Sequence, residues 1–233
     1  MKEENRIVAS IFVNGNFGEL KEKVKTAKLE GADVVELRAD AFPKITENDL
    51  LKLKQISEEL KMPVIFTLRS REEGGRSHFP FEKKLNLIKR VLKLNFDYLD
   101  IELKFLEKLK ESIPALKEDS KTKIILSYHN LKGAEDIEKL RMIKKRMLNL
   151  KADVIKIAVF SRGEKTNQDI LKLIKETKRE GKNIIGIAMG KKGRNARLKA
   201  IPENYFSYFC LSEKEKTAPG QMSLKKWKKK LSI

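Results

Sequence analysis

The strongest constraint in this sequence is a rhythm. Eight short apolar runs, at residues 6–13, 32–38, 63–69, 96–103, 123–129, 152–160, 183–189 and 205–211, alternate from end to end with amphipathic stretches of helical period. The helical stretches fall at 17–30, 47–60, 81–94, 105–117, 134–150, 167–180 and 195–200, with 223–231 closing the chain. Local punctuation agrees: Gly31 and Gly181 follow helices, and Thr46 and Ser223 stand where N-caps belong. Strict β/α alternation calls for a parallel sheet, because parallel neighbours need a crossover and a helix is the usual one. Eight similar units in 233 residues fit a single (β/α)8 TIM barrel better than an open doubly wound sheet. The open sheet also wants a glycine-rich phosphate turn after its first strand, and VNGNFGEL lacks the G-x-G-x-x-G spacing. No low-complexity linker breaks the chain, so one catalytic domain over 1–233 is expected.

A barrel carries its active site at the C-terminal ends of its strands, and that is where this chain concentrates ionisable groups. The ends offer Ser10, Glu36 with Arg38, Thr67 with Arg69, Asp100 with Glu102, Ser127 with His129, Lys156, and Met189. Residues two apart on a strand share a face, so each pair can enter the barrel mouth together.

Lys156 is the residue to explain, since it sits in the middle of the apolar run ADVIKIAVF. A buried amine costs several kcal/mol unless it is paired or loses its charge. A free lysine titrates near 10.4, so roughly one molecule in a few thousand is neutral at pH 7, and apolar walls or neighbouring cations raise that fraction. The product of such tuning is a Schiff-base nucleophile. The plainer alternative is a strand-edge lysine whose stem packs while its head reaches water; the company at the other strand ends favours a site. Of the two histidines, His78 lies in the loop GGRSHFPF and His129 at a strand end, which makes His129 the natural general acid/base. Glu73, in REEGG, is placed to fix the imidazole tautomer or else is an ordinary loop charge.

Charge narrows the ligand. The balance of 52 cations and 33 anions leaves +19, which first suggests nucleic acid. Yet 40 of the cations are lysines spread along helices among glutamates, and only Lys225, Lys226, Lys228, Lys229 and Lys230 form a dense cluster. That enrichment reads more readily as a hyperthermophile surface. The arginines are distributed otherwise, with Arg38, Arg69, Arg71, Arg76, Arg162, Arg194 and Arg197 at or just past strand ends, where a guanidinium fork suits a carboxylate. A small anionic molecule is therefore expected, with no nucleic acid and no membrane partner. No run approaches the ~20 apolar residues of a membrane span and MKEENR is unlike a signal peptide, so a cytoplasmic location is expected. The lone Cys210, in YFSYFCL, reads as core.

Two loops carry further signals. AMGKKGRNAR follows the seventh run and holds Arg197; its GKKGR resembles a phosphate loop without the full spacing. SEKEKTAPGQMSL, after the eighth, has the composition of a lid able to bring Thr217 and Gln221 over a ligand, or of a plain connection, and its position favours the lid.

Taken in order, VASI at Ser10, ELRAD, TLRSREEGG, DIEL, SYHN, KIAV, MGKKGRNAR and TAPGQ resemble the type I 3-dehydroquinate dehydratases of the shikimate pathway over nearly the whole chain. That resemblance implies that Lys156 condenses with the C3 ketone of 3-dehydroquinate, and that His129 removes a C2 proton and helps the C1 hydroxyl leave. It implies that Glu73 pairs with His129, and that Arg197, Thr217 and Gln221 bind the carboxylate. Glu36, Arg38, Arg69 and Ser10 would line the hydroxyl and ketone side, with the arginines helping to hold Lys156 uncharged. No metal or organic cofactor is implied, and a homodimer is expected because family members often are dimers. Thr217, Ala196 and Asn130 depart from the residues usual at those places, and there is little room for the N-terminal hairpin of longer relatives. Another Schiff-base barrel, such as a transaldolase-like aldolase, is the alternative; it would favour phosphate ligands near the last strands.

Overall fold

In the computed structural model, which describes residues 5–42, 44–76, 79–133 and 135–231, all eight apolar runs are parallel strands. The order is β1 (Arg6–Phe12), α1 (Phe17–Leu29), β2 (Val34–Arg38), α2 (Glu47–Leu60), β3 (Val64–Thr67), α3 (Phe81–Lys93), β4 (Tyr98–Glu102), α4 (Leu103–Leu109), α5 (Ile113–Lys117), β5 (Lys123–Asn130), α6 (Ile137–Asn149), β6 (Val154–Phe160), α7 (Glu164–Arg179), β7 (Ile184–Met189), α8 (Arg194–Ala200), β8 (Phe206–Cys210) and α9 (Leu224–Leu231). His78 and Ala134 lie outside the described residues. No described helix is long and apolar enough to cross a membrane.

Strands pair in the order β7-β6-β5-β4-β3-β2-β1-β8, the nearly closed ring of a (β/α)8 barrel. The seam between β7 and β8 is held at its lower end by Tyr205 N donating to Ile184 O at 2.8 Å. Beside it the Asn204 side-chain amide accepts from Gly186 N (2.8 Å) and donates to Gly186 O (3.1 Å), doing by side chain what a ladder does by backbone.

Every residue of β2, β3, β4 and β8 is buried, as expected of strands covered on both faces. The outward face packs under the helices, while the inward face builds an apolar floor from Val8, Val34, Ile65, Tyr98, Ile125, Val154, Ile185 and Phe206, one from each strand. One pleat further along, the same face turns polar on most strands: Ser10, Glu36, Thr67, Asp100, Ser127 and Lys156. The alternation of period two therefore lifts these groups onto an apolar base at the mouth.

Helix ends follow local chemistry. Thr46 and Asp49 form a reciprocal capping box at α2. The Ser223 hydroxyl accepts from Lys226 N at the start of α9. The single helix expected over 105–117 is two, because Lys110 takes a left-handed conformation (φ +58°) and Ser112, followed by Pro114, restarts the chain as α5.

Candidate active site

A pocket opens at the C-terminal end of the barrel, and Ser10, Glu36, Arg38, Arg69, Glu73, His129, Lys156, Arg197, Thr217 and Gln221 all line it. Of the other strand-end arginines, Arg71, Arg76, Arg162 and Arg194 are absent from its wall. Arg76 lies over the Phe12 ring at 3.6 Å, and Arg162 donates to Lys132 O.

Lys156 sits on β6 with Ser127 of β5 opposite it in register. Its Nζ lies 2.9 Å from Asp100 Oδ2 and 3.4 Å from Glu36 Oε1, and 4.2 Å from the centre of the Tyr208 ring. Its nearest charges are thus two carboxylates. Arg69, which shares Asp100 with Lys156, makes contacts of 2.7 Å to Asp100 Oδ1, 2.8 Å to Ser127 Oγ, and 3.3–3.4 Å to Glu102 and Glu73. Burial would raise Asp100, but Arg69 and Lys156 together outweigh it and hold the carboxyl well below the usual range. Burial likewise opposes the charge on Arg69, and the surrounding carboxylates more than restore it.

His129, two residues beyond Ser127 on β5, faces the same mouth as Lys156. Its Nδ1 lies 2.9 Å from Glu73 Oε2, and its backbone N–H also reaches that oxygen at 3.2 Å. Glu73 thus engages Nδ1 and leaves Nε2 to the pocket. Burial first, then Arg69 and Lys156, hold the imidazole well below its usual value and so neutral. Burial is also the largest influence on Glu73, pushing it up to about 8 against the pull of Arg69.

The opposite wall is cationic. Arg197 of α8 reaches the mouth beside β8, donating to Tyr208 O (3.0 Å) and Pro219 O (3.4 Å). Among the described residues no carboxylate pairs with it, and burial lowers its guanidinium to about 10. The loop after β8 closes over this side: Gln221 Oε1 accepts from Thr217 N (2.8 Å) and Thr217 Oγ1 (3.1 Å), and Gly190 N donates to Pro219 O. Arg38, expected to face a ligand, forms a two-bond ion pair with Asp40 (2.7 and 3.0 Å) and donates to Thr217 O (3.0 Å), so it also fastens that loop. Ser10 Oγ is buried with no hydrogen-bond partner among the described residues and is open to a ligand hydroxyl.

In GKKGR, Lys191 and Lys192 are exposed and absent from the pocket wall, and a Cβ at Gly193 would lie 2.2 Å from Ala188 O, so that glycine serves close packing against the preceding strand. Asp100, Ser127 and Tyr208 belong to the site without having been singled out as its residues. Asp100 and Ser127 were legible as strand-end groups, and Tyr208 only from its parity with Phe206 on β8. Cys210 is buried, as its apolar setting suggested. Among the described residues no group of three or more His, Cys, Asp or Glu could hold a metal ion.

The family model for type I 3-dehydroquinase matches residues 11–233. A 3-dehydroquinate dehydratase of Methanocaldococcus jannaschii is 34% identical over 208 residues, covering 88% of this chain and 90% of the relative. Among solved structures, 3-dehydroquinate dehydratase from Geobacillus kaustophilus superposes with a TM-score of 0.84 at 23% identity, over 98% of this chain and 90% of the other. The type I 3-dehydroquinate dehydratase from Clostridium difficile, solved with covalent modified comenic acid, gives 0.82 at 25%, over 97% and 90%.

Proposed function

The chain belongs to the type I 3-dehydroquinase family, and from that membership we propose that it dehydrates 3-dehydroquinate to 3-dehydroshikimate through an imine on Lys156. The observation that carries the reading is that Lys156 and His129, on adjacent strands, open into one pocket, each backed by its own carboxylate partner.

Lys156 Nζ passes a proton to His129 and adds to the C3 carbonyl; the carbonyl oxygen, taking back that proton and one more from the nitrogen, leaves as water as the iminium forms. The new cation occupies the place of the ammonium, so Asp100 and Glu36, already 2.9 and 3.4 Å from that nitrogen, stabilise it as an electron sink. The neutral His129, oriented by Glu73, takes the C2 proton on Nε2, and the electron pair moves into the C2–C3 enamine. His129 returns the proton to the C1 hydroxyl, which departs as water. Hydrolysis of the product imine consumes one water and restores Lys156, so the balance is loss of one water from the substrate. Arg197, with no acidic partner among the described residues, takes the substrate carboxylate alongside Thr217 and Gln221.

Borohydride added with substrate is expected to fix an adduct on Lys156, read by mass spectrometry of the digested protein. His129→Ala is expected to form the adduct still while losing about 10²–10⁴ in kcat, followed by ultraviolet absorbance of the conjugated enone. An unmodified Lys156 after turnover would remove the imine step, and a normal rate in the variant would strip His129 of its role.

A further inference from the structure

Lys84 has no part in the chemistry above, yet it is one of the most deeply buried lysines in the protein. On α3 it occupies the stripe of Leu87, Ile88 and Val91, where an apolar residue is the ordinary choice, and only 6% of it is exposed. Its amine lies 2.6 Å from Glu102 Oε2 and over the Phe105 ring. A buried ion pair at such a position is weak evidence for a role in stability, because apolar side chains of similar volume often do as well there.

The other oxygen of Glu102 shows what the pair does. Glu102 Oε1 accepts from Ser70 N and Ser70 Oγ, both at 2.8 Å, and so anchors the first residue of the short loop that carries Glu73. It also draws on Arg69 at 3.3 Å, the same nitrogen that reaches Glu73 at 3.4 Å. Neutralised by Lys84, Glu102 holds the loop and leaves Arg69 divided among Asp100, Glu73 and Ser127.

We propose that Lys84 is a positioning residue: by pairing with Glu102 it fixes the Ser70–Glu73 loop and keeps Arg69 beside the Glu73–His129 pair. This rests on the role given to His129 in the dehydration. Without the amine, the Glu102 charge pulls Arg69 toward itself. The groups facing Glu73 are Arg69 from the end of β3, Asp100 and Glu102 from β4, Lys84 from α3 and His129 from β5. Those facing His129 are Glu73 at 2.9 Å, with Arg69, Lys156, Asp100 and Arg38 around it, and Arg69 is the strongest cation among them. Drawing Arg69 away relieves the depression of the imidazole, which then takes a proton at higher pH and is lost as a base.

The test is kcat and KM for dehydration across pH in the wild type, Lys84→Met, Lys84→Arg and the double variant Lys84→Met/Glu102→Gln. Lys84→Met is expected to move the acid limb of kcat upward by about half a pH unit or more. Its kcat at neutral pH should fall about tenfold with KM changed less than about threefold. Borohydride trapping at Lys156 should persist. Lys84→Arg keeps the cation. The double variant removes the charge that draws on Arg69, while the carboxamide oxygen put in place of the Glu102 carboxylate still accepts from Ser70. Both are expected near wild type. If Lys84→Met does not fold, Lys84→Gln takes its place with the same shift expected. A folded single variant with the wild-type limb, or a double variant displaced as far as the single, overturns the proposal. A wild type that neither traps nor dehydrates overturns the functional reading instead.

Discussion

At the scale of the residue, the site is a closed arrangement of opposite charges under a pocket. Lys156 answers Asp100 and Glu36, Arg69 answers Asp100 and Glu102 and also reaches Glu73, and Lys84 answers Glu102. Charges this deep cost several kcal/mol each unless matched, so each member constrains the others. Glu73 is the member whose neighbours satisfy it least, since its Oε1 is buried without a hydrogen-bond partner among the described residues. A carboxyl raised to about 8 from an ordinary 4.5 has a definite consequence for stability. The unfolded chain releases this proton near pH 4.5 and the folded chain keeps it until about 8, so the stabilising effect present at low pH drains away across that window. Glu73→Gln cannot titrate. Its urea midpoint is expected to gain on the wild type from about pH 5 to pH 8 and to run parallel above; a gap constant across the range would contradict the raised carboxyl.

At the scale of the element, parity along each strand does the positioning. The floor residues are apolar, and a single pleat step separates Val34 from Glu36, Ile125 from Ser127 and Val154 from Lys156. The loop after β8 is held on the pocket by backbone fit at Gly220, where φ is +76° and a Cβ would lie 2.3 Å from Gly190 O. An alanine there meets both a disfavoured conformation and a backbone oxygen that cannot yield. Gly220→Ala is therefore expected to lift Thr217 and Gln221 from the pocket they line, raising KM about tenfold while kcat changes less. The barrel's melting temperature should stay within a few degrees, because no ladder is touched. An unchanged KM would show that the loop adds nothing to binding.

At the scale of the whole molecule, ion pairs tie neighbouring helices around the barrel, among them Lys21–Glu59 between α1 and α2 and Lys144–Glu180 between α6 and the end of α7. Exposed pairs contribute about 0–1 kcal/mol each, whereas a net +19 repels itself over the entire surface. Raising salt from about 0.01 to 0.15 M is accordingly expected to raise the melting temperature, with a fall showing that the pairs outweigh the repulsion. Eight alternating runs were enough to determine the barrel, because parallel strands need crossovers and pleat parity sends alternate residues inward. The same parity made Glu36, Asp100, His129 and Lys156 legible as groups at one mouth. What the sequence could not decide was who faces whom. Lys156 meets Asp100, 56 positions away. Arg38 secures a loop 179 positions later, and Lys84 lies hidden in an ordinary-looking amphipathic helix. Such pairings are set by register around the ring and by helix rotation against it, which bring distant carboxylates and cations into contact; local pattern carries no record of those distances.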